Sequence, residues 1–371
     1  MTTRPRSKRS GALDQLVAEG VGLWLDDYHR GWLTDGSLER LVADGLVGGV
    51  VSRPAAVARA MSGTTAYRDQ LNRLSNVAAS AEERVYALVA EDARAACATL
   101  EPVFQATKGM HGWVSLGIAP RLATDAEAML DHSRQLAEMV DRPNVLIRIP
   151  VVGRGLAVAG DLLAHRVSVH VTSVFSVQRY AQAVDTYFRG LERATADGHA
   201  ASTVTSLVSL DIGHLDAGVD ALLAGSADPC AAALRGQAGV ATARLVYHRY
   251  EASLGCPAWR SLVAGGARPQ RLLWTSENAP ESPRAALDRV ERLIAWMTLH
   301  ALPRTALEVL DRSTGFHGDT LSGEQGSACR VMDALERAGI VVDLLARDLE
   351  AAVAERERAA WDRILTGVQA C

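Results

Sequence analysis

The sequence is poor in several kinds of residue, and each shortage argues against a class of function. Only two lysines, Lys8 and Lys108, stand among its 39 basic residues, so a reaction that needs a lysine amine has two candidates. Its five cysteines form no Cys-x-x-Cys pair, which argues against a disulfide framework and a zinc site and favours reduced thiols in the cytoplasm. Aromatic residues make up 5% and do not alternate with a basic stripe, so no nucleic-acid surface is predicted.

Strong net charge and long apolar runs are also missing. The formal net charge of −4 provides no field that would attract nucleic acid or an anionic membrane. No apolar run approaches the roughly 20 residues that a membrane-spanning helix needs. Basic residues crowd Met1–Ser10, but Asp14 and Glu19 follow where a signal peptide would be apolar. We therefore expect residues 1–15 to be a disordered basic leader, with a partner-docking arm as the alternative, and residues 16–371 to form one cytoplasmic domain.

Short apolar runs alternate with longer amphipathic patterns from end to end, which is typical of repeated βα units around a parallel sheet. Eight such runs are present, and eight strands close a barrel. The sequence therefore predicts an α/β protein, a single (β/α)8 TIM barrel with extra helices. The predicted strands are Val21–Asp26, Val47–Val51, Trp113–Ile118, Asn144–Pro150, Val167–Thr172, Thr203–Leu210, Arg271–Thr275 and Trp296–Ala301.

Several blocks along the chain resemble the transaldolase family in its actinobacterial form. This resemblance implies a class I aldolase-type barrel with its active site at the carboxyl ends of the strands. The blocks are Leu23–Asp27, Val114–Leu116 with Pro120–Ala123, Val171-Thr172 with Phe175-Ser176, Leu234–Gly239 continuing to Tyr250-Glu251, Leu272–Ser276, Gly318–Thr320 and Ala360-Trp361.

The resemblance also implies a mechanism that one position does not allow. In the family, a lysine in a Leu-Ile-Lys-Ile-Pro-like motif on strand four forms a Schiff base with the donor ketose. The matching stretch here is Leu146-Ile147-Arg148-Ile149-Pro150. A guanidinium stays protonated at any working pH and cannot act as an amine nucleophile, so Schiff-base chemistry at Arg148 is excluded.

Four further positions depart from the family pattern. The strand-two Thr-Thr-Asn-Pro motif corresponds to Val51–Pro54, with Arg53 at the asparagine, and Gly117 stands where strand three carries a glutamate. Asp211 falls on the phosphate-binding arginine of strand six, and the basic loop after strand seven becomes Glu277–Glu281. Because an acidic group repels a phosphate dianion, a phosphorylated ketose is a poor substrate candidate.

The remaining polar residues on the strands are the candidate site. Asp26, His170, Thr172 and Arg148 are predicted to be catalytic, and the predicted substrate-binding residues are Arg53, Ser206, Asp211, Ser276, Glu277 and His300. Arg148 would clamp an anion or a carbonyl oxygen, or form a structural ion pair with Asp26. His170 and His300 are each either a proton-transfer group or a buried core residue. Arg53, Asp211 and Glu277 are either ligand contacts or solvated loop residues.

Three hypotheses about function remain open at the level of sequence. The first is a divergent enzyme that acts on a small carbonyl or polyhydroxylated metabolite, not a sugar phosphate, by acid/base and oxyanion catalysis, with specialised biosynthesis as its expected setting. The second is an inactive homologue that serves as a partner subunit or metabolite sensor, and the third is an ordinary transaldolase of the pentose phosphate pathway. No cofactor or metal is predicted. The expected partner is a small-molecule substrate, with neither nucleic acid nor membrane, and a homodimer stays open.

Overall fold

The computed structural model describes residues 11–63, 66–75, 80–225, 231–276, 282–313, 315–316 and 318–369. Eight parallel strands pair in sequence order, and the last pairs with the first to close a barrel. This confirms the predicted TIM barrel. The strands are β1 Gly22–Asp26, β2 Gly49–Val51, β3 Trp113–Gly117, β4 Val145–Pro150, β5 Val169–Val174, β6 Ser206–Asp211, β7 Arg271–Thr275 and β8 Thr298–Leu302.

Helices surround the barrel, and none in the described part of the chain is both long and apolar enough to cross a membrane. Two short 3-10 helices, Pro120–Thr124 and Ala201–Thr203, accompany them. The α-helices are α1 Gly11–Ala18, α2 Arg30–Thr34, α3 Ser37–Ala43, α4 Pro54–Gly63, α5 Arg68–Ser75, α6 Ala81–Ala106, α7 Ala126–Val140, α8 Gly155–Ala164, α9 Val177–Ala196, α10 Ile212–Ala224, α11 Ala231–Leu234, α12 Ala238–Leu254, α13 Pro257–Ala264, α14 Pro283–Glu291, α15 Arg304–Leu310, α16 Gln325–Arg337 and α17 Val342–Gln369.

Several predicted boundaries need correction, among them the start of β6, which is Ser206 rather than Thr203 because Thr203 ends a 3-10 helix. Residues 11–15 of the predicted leader belong to α1, because Leu13 and Leu16 are buried against the barrel, and residues 1–10 lie outside the described residues. Strand β8 begins at Thr298 rather than Trp296. Trp296 is about half exposed and Met297 has a left-handed backbone with φ of 65°, so the chain is still turning at these two residues.

The interior of the barrel is apolar towards the amino ends of the strands and polar towards the carboxyl ends. Side chains from nearly every strand form the apolar part: Trp24, Val51, Trp113, Leu146, Leu207, Leu273, Leu299 and Ala301. Because side chains alternate along a strand, these residues establish which other positions face inward. The same alternation places Arg148, Thr172 and Asp211 inside, nearer the carboxyl ends, where barrel enzymes have their active sites.

The last helix, α17, lies over the carboxyl ends of the strands. It contacts α4 and α6 from the first third of the chain, and β5 and α10 from the middle third. Arg179 of α9 donates from Nε and Nη2 to the two carboxylate oxygens of Glu350, both at 2.8 Å. Near the other end, the Trp361 ring lies 5.6 Å from that of Tyr86, measured between centroids. These contacts fix α17 across the mouth of the barrel.

The tight packing of the apolar interior predicts the cost of one added methyl group. A Cβ at Gly49 would overlap the Trp24 indole, whereas a Cβ at Gly367 in α17 would meet nothing within 4 Å. We expect Gly49→Ala to destabilise the protein by about 1–3 kcal/mol, since overpacking a core forces side chains off their rotamers. Gly367→Ala is the matched control and should be neutral or slightly stabilising. Urea denaturation midpoints would measure the stability of both variants. Equal midpoints would contradict the close packing of Trp24 against Gly49.

Candidate active site

Arg148 lies in the mouth of the barrel, where its side chain is 4% exposed. It occupies an inward position of β4, between Gly117 of β3 and His170 of β5 in the strand register. Its Nη1 donates to the backbone oxygen of Ser52 at 3.1 Å, and its Nη2 lies 3.3 Å from Oε1 of Glu357 on α17. The acidic neighbour that a buried guanidinium requires is therefore supplied by the last helix.

Asp26 forms an ion pair with Arg53. The carboxylate ends β1, and Arg53 follows β2, so adjacent strands bring the two charges together. Nε of Arg53 also lies 3.8 Å from the carboxylate of Asp27, which Arg59 approaches at 3.2 Å. Arg53 is buried, which contradicts the reading of it as a solvated loop residue. The structure thus places Asp26 and Arg53 in the mouth as one charged pair.

His170 lies inside the barrel, as predicted, and is fully buried. Its Nδ1 is 2.7 Å from the hydroxyl of Ser115 on β3, across the interior, while its Nε2 has no partner among the described residues. Burial lowers the pKa of His170 well below its ordinary value, and the positive charges of Arg148 and Arg53 lower it further. The imidazole is therefore neutral near pH 7 and can hydrogen-bond a ligand, but it is a weak base.

Asp211 is part of a chain of polar contacts that also ends at α17. It ends β6 and caps α10, where its carboxylate accepts from the backbone N–H of His214 at 3.0 Å and lies 2.6 Å from His214 Nδ1. On the other side of the ring, Nη1 of Arg356 lies 2.6 Å from His214 Nε2. Since a guanidinium can only donate, Nε2 accepts and Nδ1 carries the proton that is donated to Asp211.

Arg148 and Thr172 line a small cavity at this mouth. Its other walls come from the carboxyl ends of β3 and β4, the 3-10 helix at Pro120–Thr124, Pro54, and Ala354 with Glu357 of α17. The cavity volume is about 20 Å³, which is room for one or two water molecules. Within the described ranges, no three His, Cys, Asp or Glu side chains are arranged to hold a metal ion.

Two predicted site residues, Ser206 and His300, do not join this group. Ser206 is the first residue of β6, on the side opposite the inward Leu207, and accepts from Gln270 Nε2 at 2.8 Å. His300 points outward, because Leu299 and Ala301 take the inward positions of β8; its Nε2 lies 3.2 Å from the Leu293 oxygen, and burial lowers its pKa to about 3. Ser276 follows β7 and packs against Gly213. Glu277 lies outside the described residues.

The residues that sequence reasoning missed are Glu357, Arg356, His214 and Ser115. Glu357 is 209 positions from Arg148, and no local pattern connects a helix surface to so distant a strand. His214 carried a usable signal, because Asp211-x-x-His214 directly after a strand is the spacing of a helix cap. Ser115 shares the inward side of β3 with Trp113, so strand alternation also offered it as a partner for His170.

Comparison with known proteins gives consistent matches over nearly the whole chain. The family model described as transaldolase/fructose-6-phosphate aldolase matches residues 23–368. A transaldolase of Acidothermus cellulolyticus is 38% identical over 96% of this chain and 95% of its own length. Transaldolase 1 of Streptomyces avermitilis is 36% identical over 96% and 94%, and a transaldolase of Thermobifida fusca is 37% identical over 96% and 97%.

The burial of His170 predicts a pH dependence of stability. The unfolded chain takes up a proton on this residue as pH falls through about 6.5, whereas the folded state keeps the ring neutral, so acid favours unfolding. We expect this one residue to contribute a loss of up to about 2 kcal/mol between pH 7 and pH 5. His170→Gln should flatten the dependence of the unfolding free energy on pH over that window, as measured by urea denaturation.

The matched control for this prediction is His248→Gln, which removes an exposed histidine from α12. Both variants lose one histidine, and only the first changes the barrel interior. If the unfolding free energy of His170→Gln fell with pH as steeply as that of the wild type, His170 would have to be protonated in the folded state as well.

Proposed function

Because the chain belongs to the transaldolase/fructose-6-phosphate aldolase family, we propose that it is a transaldolase-like enzyme that works without a lysine Schiff base. Membership indicates an enzyme of the transferase or aldolase kind. The proposed substrate is a small carbonyl or polyhydroxylated metabolite, bound at the carboxyl ends of the strands. Arg148, Asp26 and Thr172 would act on it there, together with neutral His170.

The observation that carries the proposal is the placement of the Arg148 guanidinium in the cavity at the mouth of the barrel. A planar group with several donors in a site of low polarity stabilises a carbonyl oxygen as negative charge develops on it. Thr172 lines the same cavity and offers a hydroxyl to the ligand. The position at which the resemblance places the catalytic lysine therefore holds a charged group, with Thr172 and Glu357 as the other polar residues of a mostly apolar lining.

The position of Lys108 supports a mechanism without an imine. Lys108 has a left-handed backbone in the turn between α6 and β3, exposed at the amino ends of the strands. The mouth with Arg148 is at the opposite end of the barrel, so this amine does not reach a carbonyl held there. Lys8 lies outside the described residues.

Proton transfer in this proposal falls to carboxylates and to the Asp211–His214 pair. Asp26 reaches the mouth from β1 and would remove or return a proton beside the substrate carbonyl, while Arg53 holds its carboxylate in place. Asp211 orients His214 so that Nε2 is the acceptor, which is the arrangement of a general base. Arg148 would bind the resulting oxyanion.

An ordinary transaldolase is the second candidate, and the names of the relatives favour it. Three of them carry that name at 36–38% identity over almost the whole chain. An inactive barrel that acts as a sensor or a partner subunit is the third candidate, favoured by the small volume of the cavity. The acidic Asp211 at the mouth argues against a phosphorylated ketose in each case.

Borohydride trapping separates the first two candidates. A ketose or ketose phosphate that forms an imine with a lysine becomes permanently attached on reduction, and mass spectrometry locates the modified peptide. We expect no adduct on the wild-type protein, because a guanidinium does not form an imine.

Arg148→Lys is the matched positive control, since it supplies an amine at the same point of β4. An adduct in this variant would show that a ketose enters the mouth. A stable adduct on a wild-type peptide containing Lys8 or Lys108 would contradict the proposed mechanism and favour an ordinary transaldolase.

A further inference from the structure

Two consecutive residues of α17 project into the mouth with opposite charges. Glu357 approaches Arg148, and Arg356 approaches His214. The two side chains therefore contact the guanidinium and the imidazole on which the proposed function depends.

The Arg148–Glu357 contact has the geometry of an exchangeable ion pair. Its Nη2–Oε1 distance is 3.3 Å, whereas strong charge-assisted bonds are about 2.7–2.9 Å. The Glu357 side chain is 24% exposed and can turn into water. By contrast, Glu350 holds Arg179 through two bonds of 2.8 Å and is 5% exposed. Glu350 can thus keep α17 docked while Glu357 moves.

The size of the cavity makes such an exchange necessary. With Glu357 in place, the volume of about 20 Å³ accepts one or two water molecules but no metabolite. Glu357 lines this cavity and is partly exposed, so rotation of its long side chain enlarges the mouth without undocking the helix.

From the groups that these two side chains contact, we infer that the ligand is a small hydroxy carboxylate. Its carboxylate takes the place of Glu357 on Arg148, and one of its hydroxyls takes the place of Arg356 as the donor to His214 Nε2. This inference rests on the proposed function, because it uses the same mouth and the same guanidinium. Glu357 is then the residue that makes the site selective, since a neutral ligand does not replace a carboxylate on a buried guanidinium.

The test is calorimetric titration of the full chain with gluconate, sorbitol and propionate. Gluconate carries the carboxylate and the hydroxyls, sorbitol has a neutral end in place of the carboxylate, and propionate lacks the hydroxyls. Glu357→Gln removes the competing charge at nearly constant size, so its gluconate affinity should rise by about tenfold over that of the wild type. Sorbitol should show no such gain, and propionate should bind more weakly than gluconate.

Glu355→Gln is the matched control, because Glu355 is an exposed carboxylate two residues away on the same helix. It should bind gluconate as the wild type does. A thermal melt of each variant shows whether α17 stays docked. If Glu357→Gln changed the melting temperature but not the gluconate affinity, Glu357 would have a purely structural role and the inference would be overturned.

Other outcomes are equally decisive. If Glu357→Gln raised the affinities for gluconate and sorbitol equally, the proposed role of the ligand's charge would be overturned. Equal affinities for gluconate and propionate would overturn the proposed role of the ligand's hydroxyl. If gluconate binds to neither protein and no lysine adduct forms with borohydride, this inference fails while the proposed function stands. A wild-type lysine adduct would instead overturn the proposed function.

Discussion

A guanidinium inside a barrel must be neutralised, and this requirement connects the middle of the chain to its end. Arg148 sits on β4 with its side chain almost completely buried. A buried charge without a partner costs several kcal/mol, and the partner comes from α17, more than two hundred residues later. The same helix also binds the Asp211–His214 pair. The position of α17 is thus determined both by apolar packing and by the charges it meets in the mouth.

The division of the barrel interior into an apolar and a polar part explains where chemistry can occur. Trp24, Trp113 and their neighbours fill the amino ends of the strands and leave a cavity of only about 10 Å³ there. Charged and hydroxyl groups gather at the carboxyl ends, where each positive group has a negative one close by, as Arg53 has Asp26 and Arg148 has Glu357. A ligand that binds at this mouth therefore meets charges that are already paired.

Neutral His170 illustrates how the environment changes the role of a residue. Histidine ordinarily titrates near neutral pH and suits proton transfer. Here burial and two neighbouring guanidinium groups hold it neutral, so it is better suited to hydrogen bonding than to accepting a proton. In the proposed mechanism, proton transfer falls to Asp26 and to His214, whose Nε2 is oriented by Asp211.

The sequence by itself determined the barrel, because eight apolar runs with helical patterns between them admit few other arrangements. It also located Arg148, Asp26, Arg53, Thr172 and Asp211, since residues at the carboxyl ends of barrel strands share one mouth. Only the tertiary structure decided their partners. The direction of His300 depended on which alternate residues of β8 face inward, and the pairing of β8 with β1 decided that Leu299 and Ala301 do. Glu357 and Arg356 depended on how α17 crosses the mouth, and no local pattern in a sequence encodes a contact between such distant segments.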